Sequence, residues 1–410
     1  MSSEAHVLWR APRWALAVLL ACLSAIGPFA IDTYLPAFAG IAESIQSSDA
    51  QMQQTLSAYL LAFGAANLFH GPLSDRFGRK PVIIGGLLLF GLASVGCALA
   101  RSIEWLVVWR VVQGISAGAG TVIGRAVIRD LFPPTEAQRM MSLVTMIFGV
   151  APALAPLIGG WLFIGLGWES IFWFLVAYAW ILAAATHRYL PESLSPERRQ
   201  SIAVRPLARS YLQLLSNRRF LLLAFASGVP FNAFFLHILS APAFLGHVLD
   251  LRPEQFFLLF VFSISGIMLG AWTSGRLAGR VRPARQVQIG FALMGIVACV
   301  NVLASISFDP SVKWSLLPIL FMSLGWAILM PAITLMILDL FPERRGMASS
   351  LQSVVSSAAS AFAAGVISPW VMFSSVAMAV ASAVLTGVGV ISWLGLAWRA
   401  RADAPAPPPA

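Results

Sequence analysis

Apolar runs of about twenty residues recur along the chain, each long enough to cross a bilayer as a helix. The first runs from Trp14 to about Phe38 and is broken by Pro28 and Pro36. The next five lie near Met52–Leu73, Val82–Ala100, Ile103–Arg125, Met140–Ile164 and Ile171–Tyr189. A polar stretch, Pro191 to Arg219, then interrupts the pattern. Six further runs follow near Phe220–Val248, Gln255–Leu277, Val287–Ile306, Trp314–Leu338, Met347–Val371 and Ser374–Trp398. The pattern predicts an all-α membrane protein of twelve transmembrane helices. It divides into an N-terminal segment 1–13, a six-helix bundle 14–189, a linker 190–219, a second bundle 220–398 and a tail 399–410. The string Leu19-Leu20-Ala21-Cys22 faintly resembles a lipoprotein cleavage box. It sits inside a run that continues to membrane-spanning length, so the first span is expected to be retained.

Composition agrees with this reading. Of 410 residues, 59% are hydrophobic and 11% charged, too few polar residues for a soluble domain or a sensor's output domain. The net charge of +10 would suggest nucleic acid in a soluble protein. Here the arginines fall in short loops, where they report orientation instead. With both termini inside, about 23 of the 27 Lys and Arg lie in cytoplasmic segments, and Arg101, Arg252 and Lys313 lie outside. Cys22, Cys97 and Cys299 are scattered through apolar runs, which argues against a disulfide framework or a zinc site. The chain has no GxxxxGK[ST], HExxH or GxSxG string, so ATP drive, metalloprotease and esterase chemistry are not expected. No cofactor, metal or enzymatic activity is expected.

The two halves repeat. Ser74-Asp75-Arg76 recurs 200 residues later as Ser274-Gly275-Arg276, and Asp130-Leu131-Phe132-Pro133 returns as Asp339-Leu340-Phe341-Pro342. Both recurrences keep the same membrane orientation, as parallel repeats require.

Charge concentrates in one short stretch, Gly71 to Pro81, which holds Asp75, Arg76, Arg79 and Lys80 between Gly71 and Gly78. Such charge belongs at a membrane face. Glycine there admits a neighbouring backbone, and Asp75 can meet the positive end of a neighbouring helix. The alternative is a turn that only fixes topology. The string G-x-x-x-D-R-x-G-R-K resembles the signature loop of the major facilitator superfamily. That resemblance implies a cytoplasmic latch between the halves, formed by Gly71, Asp75, Arg76, Gly78, Arg79 and Lys80.

Two charges lie within spans. Asp32 is either an ion-pathway carboxylate able to carry a proton or a helix cap at the outer interface. Asp32-Thr33-Tyr34-Leu35-Pro36 resembles the D-x-Y-L-P of the Bcr/CflA branch of bacterial drug:proton antiporters. Arg110 cannot shed its charge, so it needs an acid, backbone carbonyls or water, or it snorkels. Its surroundings, including Gln113 and Gly114, resemble the superfamily's span-four motif L-x-x-x-R-x-x-Q-G, which ties the arginine to proton coupling. Ala151 to Gly160 is similar to the antiporter motif G-x-x-x-G-P-x-x-G-G. Pro156, Gly159 and Gly160 match, and Ala151 and Ala155 stand for two glycines. The plain reading of this stretch is a kinked helix-packing face.

Resemblance also places Tyr34, Asn232 and His237 at a substrate cavity, although an intramembrane His is often structural. Pro230-Phe231, Ala241-Pro242, Pro253 to Phe256 and Pro342 to Ser350 resemble the same branch. The sequence thus points to an inner-membrane secondary transporter with both termini cytoplasmic. It is expected to act as a monomer and to exchange protons for small, partly apolar compounds, drugs included, by alternating access. An exporter of a defined metabolite such as an amino acid is the alternative. A membrane-embedded enzyme or sensor is a further one.

Overall fold

A computed structural model describes residues 12–200, 204–251, 255 and 257–402. The basic lead before Pro12, Arg252, Pro253, Glu254, Phe256 and the APAPPPA tail lie outside the described residues. Apart from one bridge between Ala278 and Val281, every regular element among the described residues is helical.

Among the described residues, ten helices are long and apolar enough to cross a membrane. They are α1 (Arg13–Asp32, extended by a 3-10 turn to Ala37), α3 (Arg79–Ala98), α4 (Ile103–Leu131), α5 (Pro134–Leu166), α6 (Glu169–Tyr189), α8 (Phe257–Leu277), α9 (Pro283–Ser307), α10 (Val312–Leu340), α11 (Arg345–Val371) and α12 (Ser375–Leu396). An eleventh, α7, is Arg218–Gly228 continued by Asn232–Leu239 across a 45° bend. The bend falls at Val229-Pro230-Phe231, where proline cannot supply the helical N–H.

The twelfth helix, α2 (Asp49–Phe77), is long enough at 29 residues but not apolar enough. It begins in a capping box. The Ser48 hydroxyl accepts from the Gln51 N–H at 3.3 Å, and the Gln51 side chain accepts from the Ser48 N–H at 2.9 Å. Its body carries Gln54, Asn67 and His70, which lower its mean hydropathy.

The stretch Gly71–Pro81, expected as a loop, is almost wholly helical. α2 continues through Asp75 and Arg76 to Phe77, and α3 starts at Arg79. Only Gly78 lies between, at φ +101°, a conformation that glycine adopts without strain. The charges tolerate helix because Asp75 and Arg79 satisfy one another across that turn.

The chain forms two compact units. The first holds α1–α6 together with Phe341–Val354, which includes the head of α11. Within it α2 packs on α4, α3 on α6, and α1 on α4 and α5. Glycines bring these helices close: a Cβ on Gly114 would strike the Tyr59 carbonyl, and one on Gly120 the Leu23 carbonyl. The second unit holds α7–α10, the remainder of α11 and α12. There α10 packs between α8 and α9, and α12 lies on α7 and α9.

Candidate functional site

Two clusters in the first unit gather most of the residues singled out by the sequence. The first is at the end of α2. The Asp75 carboxylate accepts hydrogen bonds from the Gly346 N–H at 3.2 Å and the Met347 N–H at 3.0 Å. These are unsatisfied donors of the first turn of α11, where the helix dipole is positive. Gly71 makes the approach possible, since a Cβ there would overlap the Gly346 carbonyl, and its N–H donates to the Ser350 hydroxyl at 2.9 Å.

Arg79 ties Asp75 to α4. Its guanidinium donates to Asp75 at 2.5 Å, to the Ser74 hydroxyl at 2.6 Å and to Asp130 at 3.1 Å. Asp130 also accepts from Arg345 at 2.8 Å. Asp75, Arg79, Asp130 and Arg345 thus form an alternating chain of charges with every acid paired, the condition for burying ions. Gly78 is buried, Lys80 half-buried and Arg76 exposed.

One member of this cluster is not singled out by the sequence. Glu192 accepts from the backbone N–H groups of Arg79 at 2.9 Å and Lys80 at 3.2 Å, so it caps α3 from the start of the linker. The linker is held again where the Gln200 N–H donates to the Asp75 carbonyl at 2.8 Å. The available signal is an acid directly after span six on a strongly basic face.

The second cluster surrounds Arg110, whose side chain is fully buried. Its guanidinium lies over two aromatic rings, 4.6 Å from the centroid of Tyr34 and 4.4 Å from that of Tyr59. Each desolvated cation–π contact contributes about 1–2 kcal/mol. One terminal nitrogen donates to the Ala30 carbonyl at 3.0 Å and to Gln113 at 2.6 Å, and Gln113 donates onward to Ser94 at 2.7 Å. The Ala30 carbonyl belongs to the last turn of α1, where unpaired carbonyls and the negative dipole end favour a cation. The other terminal nitrogen and Nε have no partner among the described residues.

The rings are themselves anchored. The Tyr34 hydroxyl bonds Thr55 at 2.8 Å, and the Tyr59 hydroxyl donates to the Gly27 carbonyl at 3.1 Å. Gly114 lets the Tyr59 backbone close onto α4. Tyr34, expected at a cargo cavity, is therefore fully buried with one face on Arg110.

Asp32 is the last residue of α1, two positions beyond Ala30, and is half-buried. Among the described residues it forms no hydrogen bond and no ion pair with Arg110. A carboxylate caps the start of a helix, whereas Asp32 stands at the negative end. The span-five motif packs beside it: a Cβ on Gly159 would overlap the Thr33 backbone, and Ala155 is fully buried. Pro156 lies inside the helix and Gly160 faces open space.

Asn232 and His237 belong to the second unit and are both buried. The Asn232 amide donates to the Gly228 carbonyl at 3.2 Å and so closes the α7 bend. Phe231 lies on the same bend, its ring 5.1 Å from Trp326, whose indole N–H donates to the Ser227 carbonyl at 3.0 Å. His237 stands edge-on to Phe244.

Comparison with known proteins adds to this geometry. The chain is similar to the bicyclomycin resistance protein homolog of Haemophilus influenzae, 29% identical over 294 residues, which are 71% of this chain and 74% of that protein. It is similar also to multidrug resistance protein D of Escherichia coli, 33% identical over 263 residues, 64% of this chain and 65% of that one. The solved structure of the proton:xylose symporter XylE superposes with a TM-score of 0.73 at 16% identity, covering 94% of this chain and 95% of that one, a likeness of fold. Residues 17–364 match the sequence profile described as Major Facilitator Superfamily. A charge cluster on a helix start, a caged intramembrane arginine and a profile match over most of the chain converge: this multi-pass membrane protein is a secondary transporter of small molecules, not an enzyme, and belongs to the Major Facilitator Superfamily.

Proposed function

We propose that the protein exports small, partly apolar compounds, drugs among them, in exchange for protons, with Asp32 as the proton-coupling carboxylate and Arg110 as its fixed cationic neighbour. The observation that carries the reading is the division of partners at the end of α1. Arg110 bonds the Ala30 carbonyl, Gln113 and two tyrosine faces, while Asp32, two residues beyond Ala30, has no ion pair among the described residues. A carboxylate neutralised by a salt bridge has no reason to take up a proton. One held near a cation but not bonded to it can exchange a proton for a cargo group. The names of the two bacterial relatives support efflux.

On this reading cargo binding favours proton release from Asp32, and reprotonation from the opposite face resets the carrier. The Asp75 cluster acts as the cytoplasmic latch, and the chain lies in the inner membrane with both termini cytoplasmic and works as a monomer. The test is transport in proteoliposomes under an imposed pH gradient, with a panel of apolar, cationic and zwitterionic cargoes and simultaneous proton flux. Asp32→Asn should abolish gradient-driven transport and cargo-linked proton flux while leaving binding of a neutral cargo intact. Wild-type flux in that variant would remove Asp32 from the mechanism. Preference for a single zwitterion over all apolar cargoes would favour the metabolite exporter.

A further inference from the structure

The linker before α7 carries a helix of its own, Val204–Ser216, which stops at Asn217. Asn217 is extended, and its side chain accepts from the Phe220 N–H at 3.0 Å, so it caps the first turn of α7. A single residue therefore separates the linker helix from a membrane span. The last turn of the linker helix lies beside the point where that span enters the bilayer.

The side chains from Arg209 to Ser216 divide into three faces. Successive residues are turned by about 100° around the axis, so Ser210 and Leu214 share one face, and both are buried. Leu212 and Leu215 lie about 150° away from them, with 63% and 42% of their surfaces exposed. Arg209, Gln213 and Ser216 form an exposed polar edge roughly a quarter-turn from the leucines. One face is thus turned into the protein, one apolar face is turned away from it, and a polar edge lies between.

Exposed leucines have a consistent meaning in this molecule. Among the described residues, every other exposed leucine lies on a span or at its end, Leu61 on α2, Leu92 on α3, Leu157 on α5 and Leu394 on α12 among them. Those side chains meet hydrocarbon, and a helix tethered to the start of α7 has the same hydrocarbon within reach. Charge narrows the choice further. From Ala208 to Arg219 the chain has three arginines, Arg209, Arg218 and Arg219, and no acid. All three are exposed. A second copy of the chain would bring an identical basic strip against this one, which like charges oppose. An anionic lipid surface meets both features at once, since its phosphates accept the guanidinium donors and its acyl boundary takes the leucines.

We infer that the helix Val204–Ser216 lies on the membrane surface at the start of α7 and binds anionic phospholipid. Leu212 and Leu215 enter the acyl boundary, and Arg209 and Arg218 stand at headgroup phosphates with their stems along the apolar layer. The inference rests only on α7 being a span, so it stands or falls independently of proton coupling at Asp32.

The test uses the full-length protein with Cys22, Cys97 and Cys299 replaced by alanine and a spin label placed in turn at Leu212, Leu215 and Gln213. It is reconstituted in vesicles of phosphatidylcholine, with or without phosphatidylglycerol. Access of each label to oxygen, which concentrates in lipid, and to a water-soluble nickel chelate is then measured. Labels at Leu212 and Leu215 should favour oxygen and the label at Gln213 nickel, and phosphatidylglycerol should widen that difference several-fold. An arginine beside an anionic surface contributes about fivefold to lipid partition, so the widening should largely vanish in Arg209→Gln with Arg218→Gln. High salt should erase it in the protein that keeps both arginines. Leucine positions as open to nickel as Gln213 in both kinds of vesicle would put the helix in water and overturn the inference. Oxygen access that phosphatidylglycerol leaves unchanged would also overturn it, because the contact would then be apolar without selection for anionic lipid. Labels shielded from both reagents and broadened by a neighbouring label would assign the face to a second copy, which overturns it as well.

Discussion

At the scale of single residues, the burial of Arg110 is solved by aromatic faces and backbone rather than by an acid. The energetic consequence is specific. Replacing Tyr59 by Phe keeps the face on the guanidinium and loses only the bond to the Gly27 carbonyl, a net term of about 1 kcal/mol. Replacing it by Leu removes the face as well, a further loss of about 1–2 kcal/mol beside a cation that cannot neutralise itself. Thermal unfolding in detergent should therefore rank wild type above Tyr59→Phe and Tyr59→Phe clearly above Tyr59→Leu. Equal losses in the two variants would mean that the ring does not stabilise the cation. Arg110→Lys keeps the charge and a donor for Ala30 and Gln113, which one nitrogen serves in the wild type, but loses the planar group and its remaining N–H donors. It should reduce proton-linked flux at least tenfold with little change in unfolding temperature. The sequence makes the charge at Arg110 legible, because an arginine in an apolar run stands out. The cage is not legible: tyrosines in apolar spans are unremarkable, and only the folded α1–α2–α4 packing brings Tyr34 and Tyr59 onto one guanidinium.

At the scale of elements, helices meet where glycine removes the Cβ and where one helix's end group satisfies another's. Asp75 and Glu192 do the same job on different helices, each supplying a carboxylate to two backbone N–H groups at a helix start. Charged hydrogen bonds of this kind contribute about 1.5–3 kcal/mol. Asp75→Asn keeps the shape and halves the acceptor capacity, so the head of α11 should loosen. A cysteine placed at Ser350, which the Gly71 N–H reaches in the wild type, should label several-fold faster in Asp75→Asn. Unchanged labelling together with normal transport would reduce the cluster to a topology signal. The motif was readable in the sequence as a dense charge between two spans. Its helical form was not, since Asp75 in a continuing helix becomes acceptable only once Arg79 pairs with it and is itself held by Asp130 and Arg345. Glu192 was hidden for the same reason: one acid in a polar linker carries no local pattern.

At the scale of the whole molecule, the hydrophobic pattern carried the fold because membrane spans advertise themselves by length. The alternation of arginines predicts orientation, and we propose that reporters fused after Arg209 and near Asp49 report opposite faces. Finding both on one face would remove the twelve-span arrangement. What the pattern concealed is that one span is not self-sufficient. α2 keeps its Asn67 and His70 away from lipid only by packing them on α4. During synthesis, α4 leaves the ribosome roughly fifty residues later, a delay of about 3–10 s. A nascent chain therefore has to hold a half-committed hairpin at the translocon until its partner arrives. A cysteine placed beside Asn67 should react with a water-soluble thiol reagent in released chains that end at Ala98 and be protected in those that end at Leu131, so the order of biogenesis follows from where two polar side chains find shelter.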